Sequence, residues 1–337
     1  MLTDTEDFAR RALSLQTGDL PGFERMALEA FRYQSRENAV YARYLQALGR
    51  SPQTVERLED IPFLPIVFFK THPVVSGTFQ PQTVFLSSGT SGMSQSRHAV
   101  RYLSTYRNSF NASWDYHYGS IEGTAVLALL PSYLEREGSS LIEMAEGFIR
   151  RSRHADSGFY LYQHRELYDK LNRLAENEQR ILLLGVSFAL LDFVEKYRLT
   201  LPENAIVMET GGMKGRRREM TRAELHDILR EGFGVQHIHS EYSMTELLSQ
   251  AYSKSQGIYS TPPWMRILLR ETTDPLSLLP AGSRARGGIN IIDLENIDSC
   301  CFIATEDLGA LHPDGCFEVL GRLGGAEVRG CNLLVAE

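Results

Sequence analysis

Between residues 83 and 260, short and continuous apolar runs alternate with longer stretches of helical period. The runs TVFL (83–86), TAVLALLP (124–131), RILLLG (180–185) and AIVMET (205–210) have the length and apolar content of buried strands. VQHIHSEYSMTE (235–246) reads as a strand running into a polar turn. RYLSTYRNSFNASWDYHYG (101–119), SSLIEMAEGFIRR (139–151), SFALLDFVEKY (187–197) and TRAELHDILREGFG (221–234) fit helices. Buried runs separated by helices predict parallel strands in an α/β fold. The first fifty residues predict a helical cap, with TDTE at Thr3–Glu6 as a capping box and Pro21 near the start of a second helix. After Thr261 the pattern shortens to GGINIIDL, SCCFIATEDLG and CFEVLGRL, strands joined by turns. The expected division is therefore an α/β core with its helical cap over 1–260 and a smaller β-rich subdomain over 261–337.

Composition narrows the function. The chain has 337 residues, 43% of them apolar and 23% charged, which suits a globular enzyme-sized protein. A net charge of −7 argues against a nucleic-acid partner. No stretch approaches the ~20 apolar residues of a membrane span. MLTDTEDFARRALSLQ is acidic and amphipathic, unlike a signal peptide. Cys300, Cys301, Cys316 and Cys331 contain no C-x-x-C pair, so a cytoplasmic, reducing setting is expected. The same cysteines with His312 have the wrong spacing for zinc. His237 and His239 alternate along a strand, a pattern that suits packing more often than metal binding.

FLSSGTSGMSQSRH (85–98) raises the question of chemistry. Ser87, Ser88, Gly89, Thr90, Ser91 and Gly92 add little to a core, but their N–H and hydroxyl groups suit an anion such as phosphate. A solvated turn fits the loop equally well. Gly92 is followed by Met93, so this is no Walker A loop, which needs G-K-[S/T] at that point.

Three later stretches, HSEYSMTEL (239–247), ATEDLGAL (304–311) and GRLGGAEVRGCN (321–332), follow the loop in an order that resembles the adenylate-forming superfamily. The nearer resemblance is to LuxE-type acyl-protein synthetases and the related phenylacetate–CoA ligases. IPFLPIVFFKTHPVVSG and LLPSYLEREGSSLI are similar to LuxE-type sequence too, so the resemblance runs from about Phe31 to Leu334. It implies a large adenylate-forming domain with a smaller β-rich subdomain and no full swinging C-terminal domain. It further implies ATP-dependent conversion of a carboxylic, possibly fatty, acid to acyl-AMP, with ATP and Mg²⁺ required. Ser87 to Gly92 would hold phosphates, and Gly211 and Gly212 would line the nucleotide site. Tyr242 would pack on adenine, Thr245 would meet phosphate, and Glu246 would ligate Mg²⁺. Asp307 would accept the ribose hydroxyls and Arg322 would contact the nucleotide. Tyr242 as a core aromatic, Asp307 as a turn residue and Arg322 in a surface pair are the plainer alternatives.

The sequence departs from the superfamily in three places. Ser94 and Gln95 replace the usual Pro and Lys after the loop, and Ser243 replaces a glycine. No lysine follows Lys254, so the swinging domain's catalytic lysine has no counterpart; Lys70 is a candidate for its role. By resemblance to LuxE-type enzymes, Cys331 would carry the acyl group as a thioester before a partner protein takes it; a buried strand cysteine is the alternative. Coenzyme A is the other acceptor, as in a phenylacetate-type acyl–CoA ligase. A catalytically inactive nucleotide-binding subunit is the third possibility. LLLGVSFALL, Phe110 and Trp114 are candidates for the wall of an acyl pocket.

Overall fold

The computed structural model describes residues 2, 4–87, 95–131, 137–211, 220–280 and 286–323. The helices are α1 (Thr5–Leu13), α2 (Leu20–Glu37), α3 (Ala39–Ala47), α4 (Phe68–Thr71), α5 (Leu103–Tyr118), α6 (Ser140–Ser152), α7 (His164–Glu176), α8 (Ser187–Val194) and α9 (Arg222–Phe233). The strands are β1 (Leu64–Pro65), β2 (Thr83–Leu86), β3 (Arg97–Val100), β4 (Ala125–Leu129), β5 (Gly158–Tyr160), β6 (Ile181–Val186) and β7 (Ile206–Thr210). They continue with β8 (His239–Tyr242), β9 (Ala251–Ser253), β10 (Ile258–Ser260), β11 (Met265–Arg270), β12 (Arg286–Asp293), β13 (Phe302–Leu311) and β14 (Phe317–Arg322).

The chain forms two compact units, each assembled from segments that alternate along the sequence. Unit 1 takes residues Met1–Ser113, Ser243–Gln250 and Thr261–Phe317; unit 2 takes Trp114–Tyr242, Ala251–Ser260 and Glu318–Glu337. Residues 1–260 are thus shared by both units, and Thr261, where the sequence changes character, marks one return of the chain to unit 1.

Unit 1 joins the N-terminal helices to an antiparallel sheet. β12 lies between β11 and β13, and β1 pairs in parallel with β13. Helix α2 presents Phe23, Met26, Ala27, Ala30 and Phe31 on one buried face, as its helical spacing requires. Phe31 and Tyr41 meet Phe302 of β13 with ring centroids 6.1 and 6.2 Å away. Gln34, fully buried, donates to the carbonyls of Asn296 and Ile297, at 2.9 Å each. Asp4, not Thr3, caps α1: its carboxylate accepts the Asp7 N–H at 2.9 Å, and Thr3 lies outside the described residues.

TVFL is not part of the parallel sheet. β2 forms an antiparallel hairpin with β3, so the Ser/Gly loop joins two strands of a separate two-stranded sheet. Its sequence could not show this, because RHAV is short and begins with two polar residues.

Unit 2 is the α/β part. Its sheet runs β5-β4-β6-β7-β8-β9-β10, parallel from β5 through β8 and antiparallel at β9 and β10. β4, β6 and β7 are buried at every position, which is why they read as continuous apolar runs. Helix α9 carries a complete capping box between Thr221 and Glu224 and ends at Gly234 in the left-handed conformation, φ 61°.

Candidate functional site

In unit 1 the stem of the Ser/Gly loop is closed by Ser87 and Ser96. Ser87 N–H donates to the Ser96 carbonyl (3.1 Å), and Ser96 N–H donates to Ser87 Oγ (2.9 Å). Gln95, at the superfamily's lysine position, donates to the Ser87 carbonyl (2.9 Å) and so belongs to this stem. Ser88, Gly89, Thr90, Ser91 and Gly92 lie outside the described residues.

Thr245 and Glu246 occupy the middle of a turn closed by Leu247 N–H on the Met244 carbonyl (3.0 Å). Three buried side chains hold that turn. His98, on β3 beside the loop stem, donates Nδ1–H to the Thr245 carbonyl at 2.8 Å. Burial pushes its imidazole down to about 4, against the opposing effect of the Thr245 bond, so the ring is neutral at pH 7. A carbonyl only accepts, so the proton sits on Nδ1. Asn296 Nδ2 donates to the Glu246 carbonyl (2.8 Å). Asp293, with no exposed surface, takes the N–H groups of Leu248 and Ser249 on Oδ2 (2.9 Å each) and the Ser249 hydroxyl on Oδ1 (2.6 Å). Burial still lifts the Asp293 carboxyl above its usual value, because these donors are all neutral. Glu246 is 5% exposed. Ser243 does not adopt positive φ, so serine meets no backbone strain where the superfamily has glycine.

Asp307 sits where the β12–β13 ladder breaks. Asn290 faces Ala304 and Gly288 faces Leu308, so Ile289 alone spans Thr305, Glu306 and Asp307. Bulges of this kind redirect side chains next to sites. Asp307 is half-buried and its N–H donates to Thr305 Oγ1 at 3.1 Å. Lys70, also in unit 1, lies in the last turn of the short helix α4.

In unit 2, β6, β7 and β8 are parallel, so Val186, Thr210 and Tyr242 end on one edge, where ligands of open α/β sheets bind. Gly211 follows β7 with φ 69°, a conformation that side chains resist. Beneath it Glu209 is 5% exposed. Ser187, the first residue of α8, donates to Glu209 Oε2 (3.0 Å) and lies 3.4 Å from the Gly211 carbonyl. His226 Nε2 and Arg222 Nε stand 3.6 and 3.9 Å from Glu209 Oε1. Burial would raise the Glu209 carboxyl, but His226 and Arg222 overcome it and hold the carboxyl below its usual range. The Arg222 guanidinium lies over the Tyr259 ring (5.3 Å), and Tyr259 leans on Tyr242 (5.8 Å between centroids). Arg222 also donates to the Val319 carbonyl of β14 (3.3 Å), the strand that ends in exposed Arg322. Thr210 donates to Glu241 Oε2 across the β7–β8 register. Gly212 lies outside the described residues.

The remaining candidates are placed as follows. Cys331 lies outside the described residues, while Cys300 and Cys301 have no exposed surface. Phe110 and Trp114 are fully buried core aromatics, Phe110 against Tyr106 in unit 1 and Trp114 against Tyr118 and Phe148 in unit 2. His237 is exposed, and His239 Nδ1 shares a hydrogen bond of 3.1 Å with the Tyr118 hydroxyl. Among the described residues no three His, Cys, Asp or Glu side chains are grouped to hold a metal, and no helix is long and apolar enough to cross a membrane. An open groove of about 900 Å³ runs along α7, past Lys170, Arg173 and Lys196. Lys170 and Arg173 are already engaged by Asp156, which weakens the groove's claim on an anion. Sequence reasoning missed His98, Asp293, Asn296, Glu209, Ser187, Arg222 and His226, which act on segments distant in the chain.

No family model and no curated protein matches the sequence. Solved structures do. A 2-hydroxyisobutyryl-CoA ligase in complex with 2-HIB-AMP and CoA is similar over 96% of this chain and 73% of its own, with a TM-score of 0.65 at 15% identity. ATP-bound MatB from Rhodopseudomonas palustris matches 71% of this chain and 47% of its own (TM-score 0.52, 17% identity). O-succinylbenzoate coenzyme A synthetase (MenE) from Bacillus subtilis, in complex with ATP and magnesium, matches 73% and 52% (TM-score 0.51, 19% identity). The chain spans about half the length of MatB. At these identities the likeness is one of fold: the chain has the mixed α/β architecture of adenylate-forming acyl-CoA ligases, including the β-rich part that follows the parallel sheet.

Proposed function

We propose that the protein activates a carboxylic acid with ATP, giving acyl-AMP and pyrophosphate, and passes the acyl group to a thiol. One observation carries this most directly. The hairpin that carries the Ser/Gly loop is bonded through His98 to the turn bearing Thr245 and Glu246, so the strands flanking the loop and a buried carboxylate belong to one hydrogen-bonded assembly in unit 1. The acid is already ionised at neutral pH. The chemical demand is therefore to bring one anion to a triphosphate, which calls for fixed donors and a divalent cation rather than acid–base groups. In unit 1 the loop residues Ser87–Gly92 and Thr245 supply the donors and Asp307 receives the ribose hydroxyls; for Tyr242, Gly211, Gly212 and Arg322 of unit 2 the nucleotide roles rest on the resemblance alone.

Mg²⁺ suits these residues. The ion binds through one or two carboxylates and completes its shell with phosphate and water, so Glu246 alone is a sufficient protein ligand. When bound it would neutralise the triphosphate as the carboxylate approaches.

For the acceptor we favour a protein thiol reached through Cys331, on the resemblance of RGCN and its surroundings to LuxE-type enzymes. A coenzyme A acceptor is the second reading, favoured by the fold likeness to a ligase complexed with CoA. The test is pyrophosphate release from ATP and Mg²⁺ against a panel of carboxylic acids. Release should depend on one class of acid and fall on the order of a hundredfold in Glu246→Ala and Asp307→Ala. Release equal in both variants and wild type would refute these roles. Acyl transfer abolished in Cys331→Ala supports the protein acceptor; CoA thioester formed equally well by that variant supports the ligase.

A further inference from the structure

The bulge that carries Asp307 closes around a buried cation. Because β13 advances four residues while β12 advances two, the carbonyls of Ile289 and Thr305 are left beside the broken ladder. Arg270, on β11 and 7% exposed, meets both. Its Nη1 donates to the Ile289 carbonyl and to Asn290 Oδ1, at 2.8 Å each, and its Nη2 donates to the Thr305 carbonyl at 2.5 Å. Thr305 Oγ1 donates to the same Ile289 carbonyl (2.9 Å) and accepts the Asp307 N–H. The guanidinium thus spans the two backbone groups that define where the bulge begins and what it faces.

Arg270 reaches β13 by crossing β12 at its register partner, Gly288. A Cβ on Gly288 would lie 2.6 Å from the guanidinium carbon, and one on Gly287 would lie 2.4 Å from the Arg270 carbonyl oxygen. Gly288 is what lets the guanidinium pass, while Gly287 lets the backbone of β12 approach that of β11. All its hydrogen-bond acceptors among the described residues are neutral, and a buried cation without a negative counterpart is costly. Asp307 provides the opposing charge: burial weakens the hold of Arg270 on its proton, whereas Tyr44 and Asp307 strengthen it.

We propose that Arg270 is a positioning residue for Asp307, fixing the bulge from which Asp307 is presented. This rests on the ribose role given to Asp307 above. Lysine would replace it only in part, because an ammonium keeps the charge but lacks the planar fork that bonds two carbonyls and an amide together.

The experiment is equilibrium binding of ATP and of 2′,3′-dideoxy-ATP, with Mg²⁺, by wild type, Arg270→Met, Arg270→Lys, Asp307→Asn and the double variant Arg270→Met/Asp307→Asn. Hydrogen bonds from the ribose to a charged acceptor should give wild type a preference for ATP of roughly tenfold or more. Arg270→Met should bring that preference to within about threefold of none, with Arg270→Lys intermediate, and the double variant should discriminate no worse than Asp307→Asn. Should Arg270→Met fail to fold, Gly288→Ala keeps the arginine but blocks its path, and should weaken the preference likewise. Amide exchange should quicken at residues 304–308 in either folded variant. Wild-type discrimination retained in Arg270→Met or in folded Gly288→Ala overturns the inference and leaves the ribose role intact. A wild type that binds ATP without any preference overturns the ribose role itself, and a wild type that binds no nucleotide overturns the ATP reading as well.

Discussion

Asp293 in unit 1 and Glu209 in unit 2 do similar work by opposite electrostatic means. Each is a buried carboxylate at the root of a segment singled out by motif, Asp293 behind the Thr245–Glu246 turn and Glu209 behind Gly211. Asp293 is surrounded by neutral donors, three from Leu248 and Ser249 and a fourth from Glu295 N–H at 3.2 Å. Its neighbour Glu295 is 1% exposed with neither oxygen hydrogen-bonded, and burial together with the Asp293 charge raises its carboxyl well above the usual 4.5. Glu209 instead has His226 and Arg222 within 4 Å. At Asp293 the dipoles do not repay desolvation, whereas at Glu209 the hydrogen bond with His226 and the charge of Arg222 do. A carboxylate held by dipoles can organise backbone N–H groups with no charged partner beside it. A carboxylate held by Arg222 and His226 can in turn hold those side chains in place.

The sharpest way to break the comparison is to delete each carboxylate. Asp293→Ala strands four donors and should cost about 4 kcal/mol of stability, read by urea denaturation. Glu209→Gln leaves Arg222 and His226 facing a neutral amide and should cost about 2 kcal/mol at pH 7.

The pH dependence separates them further. Glu209 is depressed from 4.5, so its contribution is full above that value and is lost as pH falls through the folded pKa. Asp293 is raised from 3.8, so its contribution is full below that value and is lost as pH rises through the folded pKa. Denaturation from pH 7 down to about pH 3 should therefore show the gap between wild type and Glu209→Gln narrowing below pH 4.5, and the gap for Asp293→Asn widening as pH falls toward 3.8. Slopes of the same sign would end the distinction.

Smaller effects sharpen it. His98→Phe removes one buried bond to the Thr245 carbonyl and should cost about 1.5 kcal/mol, with pyrophosphate release reduced beyond what the melting temperature accounts for. Thr221→Ala opens the α9 capping box behind Arg222 and His226 and should cost about 1 kcal/mol with ATP affinity unchanged.

What was legible in the sequence was whatever repeats locally. β4, β6 and β7 are buried throughout and announced themselves as apolar runs; α9 carried Thr221 and Glu224 at capping spacing. β3 stayed hidden because Arg97 and His98 are polar and only Ala99 and Val100 suggest a strand. Without β3, the loop's hairpin could not be foreseen. The motif residues Thr245, Glu246 and Asp307 could be picked out, but their supports could not. His98 lies 147 residues from Thr245, Asp293 lies 45 from Leu248, and Arg270 lies 35 from Thr305. In MRILLRET, Arg270 looks like an ordinary end to an alternating strand. The one local trace of its path is the pair Gly287–Gly288, since glycine inside a strand often marks a close approach.

The adjacent cysteines of unit 1 have a practical consequence. Neither thiol is exposed, and burial pushes Cys300 up to about 12 and Cys301 higher than its usual value, while Cys316 is only half-buried. Alkylation needs a thiolate in contact with the reagent. In a background where Cys316 and Cys331 are serine, the pair becomes a built-in stopwatch: mass added at Cys300 and Cys301 records each excursion of unit 1 out of its native packing, with no foreign label in the chain.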